Sequence, residues 1–345
     1  MIWLTWRQIR TQFIAVYALL AAAIVVLAIT GNHLRDLAKS KTSIYDLVSS
    51  TDRMIFNGGI IALALAPAII GIFWGAPLVA RELEAGTHRL VWNQSVTRTR
   101  WLAIKLGIST LAVAAAIGIL TAAISWWAHP LDGALGSDRG SFPSRMTPTA
   151  FAMRGIVPIG YAVFALVLGT VIGIVLRRSV PAMALTLAVY VVVQIAVPLY
   201  VRPHLVTPAS QTIVIADKSL DSLTSKGPGE PVTITVHTND PKNWMLTNET
   251  VNRQGHAAAL PSWFANCLPA PPGDAAPGGT VRIKTGPGTL DKCFARLEKA
   301  GYRQHVTYQP DSHFWRLQWT ETAMYGGISA LLAGFGFWWT RRKLS

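Results

Sequence analysis

Six long apolar blocks leave this chain few folds to choose from. Phe13–Thr30, Gly58–Ala80, Leu102–Trp127, Ile156–Leu176, Val180–Val201 and Ala323–Thr340 each approach the roughly 20 residues that a helix needs to cross a bilayer. Lipid offers no partners to backbone N–H and C=O groups, so each block is expected to be a membrane-spanning helix. No Asp, Glu, Lys or Arg lies deep inside any block, and Lys105 stands one turn from an end, where its amine can snorkel to the interface. With 51% of its residues apolar and 14% charged, the 345-residue chain is not a single soluble core.

A formal charge of +14 raises the question of nucleic acid, and the distribution of that charge answers it. With the N-terminus inside, the short inner segments hold Arg7, Arg10, Arg81, Arg89, Arg98, Arg100, Lys105, Arg177, Arg178, Arg341, Arg342 and Lys343. The outer loops carry Arg35, Lys39 and Arg53 interleaved with Asp36, Asp46 and Asp52. This asymmetry obeys the positive-inside rule, so the expectation is a multi-pass protein of the cell membrane with both termini cytoplasmic and no nucleic-acid partner. Tryptophans at both proposed interfaces, among them Trp6, Trp101 and Trp338 inside and Trp126, Trp127 and Trp315 outside, agree with that map.

Residues 1–12 place Ile2, Trp6 and Ile9 at helical spacing, which predicts an amphipathic helix lying in the inner interface before the first span; a cleaved signal peptide is the rival reading. Residues 13–201 then hold spans one to five. Pro67 in the second span frees a carbonyl and bends a helix, while Gly71 and Gly75, four apart, allow a neighbour close; a moving bend and plain helix packing both fit. Gly169 and Gly173 repeat the spacing in the fourth span. Arg177-Arg178-Ser179 is so short a link that spans four and five must be antiparallel neighbours. Gln194, the one notable polar residue of the fifth span, is either a bond between helices or part of the lining of a pathway.

Residues 202–320 are polar and rich in Pro and Gly, and long enough to fold as a small extracellular α+β domain between spans five and six. Gln211–Ala216, Val232–Thr238, Val281–Lys284, Gln304–Tyr308 and Trp315–Trp319 read as strands, and Pro269–Gly279 as a disordered loop. Leu290, Cys293, Phe294 and Leu297 form one face of a short helix that Gly301 ends. Both cysteines, Cys267 and Cys293, fall on this oxidising side, where a disulfide is the expected outcome. The histidines lack metal-ligand spacing, so no metal site is expected. Residues 321–345 complete the sixth span and a basic cytoplasmic tail.

No Gly-x-x-x-x-Gly-Lys-Ser/Thr loop, Gly-x-Ser-x-Gly elbow or His-Glu-x-x-His pair occurs. The expectation is therefore no catalytic residues, no cofactor bound by this chain, and no enzyme. What remains is the charged island Arg81–Trp101 between spans two and three, a cytoplasmic loop by the charge rule.

That loop resembles the ABC-2 family, the permease subunits of ATP-driven exporters. Those proteins carry Glu-x-Gly-Thr or Glu-x-x-Gly-Thr after the second span, then a Leu-rich turn, a Ser/Arg cluster, and Lys or Gly-Lys near the third. Here stand Glu82, Glu84, Gly86 and Thr87, then Leu90, then Ser95, Arg98 and Arg100, then Lys105 and Gly107, with Gln94 or Ser95 where the family usually has proline. The likeness extends to the six-span topology, and the run Tyr308-Gln-Pro, Phe314-Trp, Gln318-Trp and Glu321-Thr looks like a subgroup with an enlarged outer domain. The resemblance implies an α-helical membrane protein of six transmembrane helices. It also implies two permease subunits, this chain with a second copy or a homologue, above two ABC ATPase subunits that bind the ATP and Mg. Residues 81–101 become a coupling loop whose ATPase-coupling residues are Arg81, Glu82, Glu84, Gly86, Thr87, Arg98 and Arg100; Glu82 and Glu84 hold the charge network, Gly86 allows the turn, and Arg98 and Arg100 anchor the end. The exported compound is then expected to be amphipathic, a drug, antibiotic, lipid or peptide. The alternative is a membrane-anchored sensor whose outer domain binds a ligand.

Overall fold

The computed structural model describes residues 2–38, 50–87, 97–134, 143–225, 232–268, 281–282, 288 and 290–343. They form two compact units, Met1–Val206 with Ser312–Ser345, and Thr207–Asp311.

The first unit is helical. Helix α1 runs unbroken from Ile2 to Ala38, so the turn expected between an interfacial helix 1–12 and the first span is absent. Helix α2 (Ser50–Ile69) passes through a π-helical turn, Ile70–Gly75, into α3 (Pro77–Glu84). Pro67 has no N–H to donate, and the widened turn that follows is closed by the Ala76 amide on the Gly71 carbonyl, five residues back, at 2.8 Å. Helix α4 spans Arg98–Ala134, α5 Val157–Leu176 and α6 Ser179–Ala196; α6 continues through a π turn, Val197–Val201, and a 3-10 turn, Arg202–His204. Five of these stretches are long and apolar enough to cross a membrane: Val16–Asp36, Ser50–Glu84, Arg98–Pro130, Val157–Leu176 and Ser179–His204.

The centre of this unit is α5. Inside the bundle 72% of it is buried, against 6 to 33% for the other four, and it packs against α4, α6, the π turn of α2 and the last helix. Val180, Val192, Ile195 and Leu199 on α6 and Leu19, Val25 and Ile29 on α1 lie exposed, an apolar exterior that water would not tolerate but lipid does. Where α5 meets the second span, glycines remove side chains from the contact. A Cβ at Gly75 would stand 2.6 Å from the Leu166 carbonyl oxygen and one at Gly173 2.5 Å from that of Ala76; Gly71 and Gly169 sit equally tight. The small-residue spacing read from the sequence is thus a helix contact at backbone distance.

Arg177, in the left-handed region at φ 55°, caps α5 and reverses the chain directly into α6. The final helix, α8 (Phe314–Lys343), has the length to span, roughly 45 Å, with a less apolar sequence rich in Gly and aromatics. It absorbs Trp315–Trp319, expected as a strand. The alternation of Trp315, Leu317 and Trp319 suggested a period of two, but Phe314, Leu317, Gln318, Glu321 and Tyr325 are the buried positions, a helical stripe along α5, while Trp315 and Trp319 face out.

The second unit occupies Thr207–Asp311, narrower at both ends than the expected 202–320. It has two antiparallel three-stranded sheets. One is ordered β1 (Ala209–Ile213), β6 (Arg303–Gln309), β4 (Trp244–Val251); the other β3 (Thr233–Val236), β2 (Leu220–Ser225), β5 (Val281–Arg282). Helix α7 (Asp291–Lys299) contributes Phe294 and Leu297 to a core with Leu223, Ile234, Val236, Phe264 and Val306, and Gly301 at φ 86° follows its end as expected. Buried Gln304 joins the sheets: its amide donates to the Ile234 carbonyl at 2.8 Å and its oxygen accepts from Thr250 at 3.0 Å. Cys267 and Cys293 are disulfide-bonded, with Cα atoms 6.4 Å apart. The segment Pro269–Gly279 lies outside the described residues.

Candidate functional site

The helical unit gathers its buried charges at its two ends. At the end where α3 finishes and α4 begins lies the charged island. Its described parts are residues 81–87 and 97–101; Leu90 and Ser95 lie outside them. Glu82 reaches out of the island to pair with Lys105 on α4, whose side chain is only 7% exposed and whose amine lies 5.1 Å from the Trp101 ring centre. Lys105 therefore does not snorkel to water; it is neutralised in place, since an amine buried there unpaired would be costly. Glu84 reaches a different helix. Its carboxylate accepts from the Ser179 amide at 3.0 Å and the Ser179 hydroxyl at 2.9 Å, at the positive N-terminal end of α6.

Beneath these polar bonds Val79, Leu83, Trp101, Leu102 and Ile174 close an apolar cluster from three helices. Gly86, at φ 70°, lets the chain leave α3, and the Thr87 hydroxyl donates to the Glu82 carbonyl at 3.5 Å. Arg81 and Arg100 are exposed, and Arg98 opens α4, where Thr97 accepts from the Arg100 amide at 3.3 Å as an N-terminal cap. Displacement of this island would thus be felt directly by α3, α4 and α6.

At the opposite end, where α5 and α8 begin and α6 stops, sits a constellation that sequence reading missed. Arg202, fully buried, presents its fork to Glu321, also fully buried: Nε to Oε2 at 2.8 Å and Nη2 to Oε1 at 3.0 Å. The Tyr161 hydroxyl donates to Glu321 Oε1 at 2.6 Å and accepts from Arg202 Nη2 at 2.7 Å. Arg202 Nη1 donates to the Pro148 carbonyl at 3.2 Å, and the guanidinium lies 4.8 Å from the Phe151 ring centre. One turn earlier on α8, Gln318 caps α5: its oxygen accepts from the Ile156 and Val157 amides, both at 2.9 Å, and its amide donates to the Phe151 carbonyl. Arg154 adds a second ion pair with Asp132 of α4 at 2.5 Å. The sequence did hold a signal: opposite charges just beyond the fifth apolar block and just before the sixth.

Gln194 acts between helices. Its amide donates to the Tyr190 hydroxyl at 2.5 Å and its oxygen accepts from Tyr325 of α8 at 3.3 Å, while the Tyr325 ring meets Tyr161 edge-on with centres 4.9 Å apart. Pro67, Gly71 and Gly75 belong to the packing of the second span on α5. Among the described residues no group of His, Cys, Asp and Glu is disposed to hold a metal ion.

No curated protein and no solved structure matches this chain. A family model described as ABC-2 membrane transporter related matches residues 14–202, more than half of the sequence and the segment that carries the first five spans together with the island. With its membrane helices and a family whose members are membrane components of transport systems, the chain belongs to the ABC-2-related membrane transporter family.

Proposed function

We propose that this chain is the permease subunit of an ABC-2 exporter, driven through residues 81–101 by separate ATPase subunits that bind ATP and Mg. The observation that carries this reading is the pair of bonds by which one short island grips two other helices, Glu82 to Lys105 and Glu84 to Ser179. A push from the cytoplasm on residues 81–87 is passed through these bonds to α4 and α6, the kind of coupling alternating access requires. Arg81 and Arg100, exposed beside those bonds, are the groups presented to the ATPase. In this reading both termini are cytoplasmic, α8 is the sixth span, and Thr207–Asp311 forms an enlarged extracellular domain. Two such subunits, identical or homologous, enclose a pathway for an amphipathic compound.

Purification of the tagged chain from its native host should bring down an ABC ATPase whose turnover rises when both are reconstituted together. Arg81→Glu with Arg100→Glu should abolish that stimulation while leaving the chain folded. A preparation that retains no ATPase, or stimulation that survives both charge reversals, would count against the proposal.

A further inference from the structure

The transport reading leaves unused a cleft of about 300 Å³ in the Thr207–Asp311 unit. Its walls are the Asn252–His256 turn after β4, the last turn of α7 and the start of β6. They bring Arg253, Lys299 and Arg303, all exposed, to one cleft together with His305, Thr212 and the acid Glu298. Among the described residues none of these three cations makes an ion pair. The lining therefore carries surplus positive charge that the fold itself does not consume.

The backbone that carries the two exposed arginines is held in place. Arg253 rides a turn closed by the Asn252 amide on the His256 carbonyl at 2.9 Å, with the Asn252 side-chain oxygen accepting from the Gln254 and His256 amides, both at 3.0 Å. Its stem lies across Gly301, where a Cβ would stand 2.7 Å from the Arg253 Cβ, so only glycine admits it. The Arg303 backbone is placed by strand register opposite Val251. Thr212 and His305, paired across β1 and β6, lie 3.5 Å apart through Oγ1 and Nδ1 and add hydrogen-bonding groups to the cleft. Two guanidiniums and an ammonium, exposed on the walls of one cleft, offer donors to the oxygens of a dianion, and the volume is at the small end of ligand sites, about 300 Å³ and upward. We infer that this cleft is a binding site for a phosphate-bearing ligand.

The test uses the full chain in a nonionic, phosphate-free detergent and titration calorimetry with two probes, inorganic phosphate and the short-chain lipid dihexanoyl phosphatidic acid. Saturable binding at millimolar probe or below is expected, weakening as salt is raised. Arg253→Gln and Arg303→Gln should each weaken it at least about tenfold, while Lys292→Gln, at the far end of α7, leaves it unchanged. Equal affinity for the two probes identifies a soluble phosphate or phosphate ester as the source; clear preference for the lipid identifies a head group. Unfolding midpoints in phosphate-free buffer check that the variants fold, and Lys299→Gln gives a second reading should one of them fail. Absence of saturable binding by either probe, or affinity unaltered in the Arg variants, overturns the inference.

Discussion

Replacement of Glu321 by Gln keeps the volume of the side chain and removes its charge, leaving the Arg202 guanidinium fully buried against a neutral acceptor. The loss can be sized from the contacts. The bidentate pair disappears as an ion pair, Tyr161 keeps at best a weaker acceptor, and the Pro148 carbonyl cannot compensate a whole charge. Breaking a buried pair by removing one partner costs about 3–5 kcal/mol, whereas replacing both partners with apolar side chains of similar size is often neutral. The single variants Glu321→Gln and Arg202→Met should therefore lower the apparent unfolding midpoint in detergent by roughly 6–20 °C. The double variant Arg202→Met with Glu321→Leu should recover most of that loss. Intrinsic tryptophan fluorescence during a thermal ramp reads both. Single variants within a degree or so of wild type, or a double variant as unstable as the sum of the singles, would refute the assignment of Arg202 and Glu321 as one buried unit.

The same logic at the other end predicts that Glu82→Ala or Lys105→Met alone destabilises the chain more than the two together, read as thermal midpoints of all three variants. Gly75→Leu drives a side chain into the Leu166 carbonyl and should cost about 1–3 kcal/mol or more; Gly107→Leu, where a Cβ meets nothing, serves as the control in a detergent-stability comparison. Reduction of Cys267–Cys293, which closes a loop of 26 residues, should cost the Thr207–Asp311 unit roughly 3–4 kcal/mol, measured as the shift in its chemical-denaturation midpoint with and without reductant.

Legibility in the sequence followed the range of the interactions. Hydropathy, a sum over neighbours, announced six spans, of which five are long and apolar enough to cross a membrane. Of the two readings open to the Gly spacing, a bend or a close contact, the glycines of α5 and the second span form the contact. The tight Arg177–Ser179 reversal and the helix ending at Gly301 were equally local. Strands β2 and β4 went unread for a related reason. Each carries a register shift, Leu220/Ser222 in β2 and Met245/Thr247 in β4, and a bulge breaks the alternation by which a strand declares itself.

The functional residues divide along the same line, and the division explains the error over where the last helix begins. Glu82 and Glu84 were legible as members of a local motif, but the motif does not say that one side chain goes to Lys105 and the other to Ser179, 95 positions away. Arg202 opens the segment read as a polar domain and Glu321 directly follows it, places where a charge just outside an apolar run is ordinarily solvated. What removes them from water is their pairing across 119 residues. A lone charge at either position would have to stay at the surface, and the helix would start after it. A bidentate partner permits burial, and α8, which begins at Phe314, carries Gln318 and Glu321 inward along α5. The Arg202 pairing is thus what lets a charged residue lie in the buried stripe of the last helix, and the variant pair at 202 and 321 tests it, because a Glu321 that needed no partner would leave the single Arg202 variant as stable as wild type.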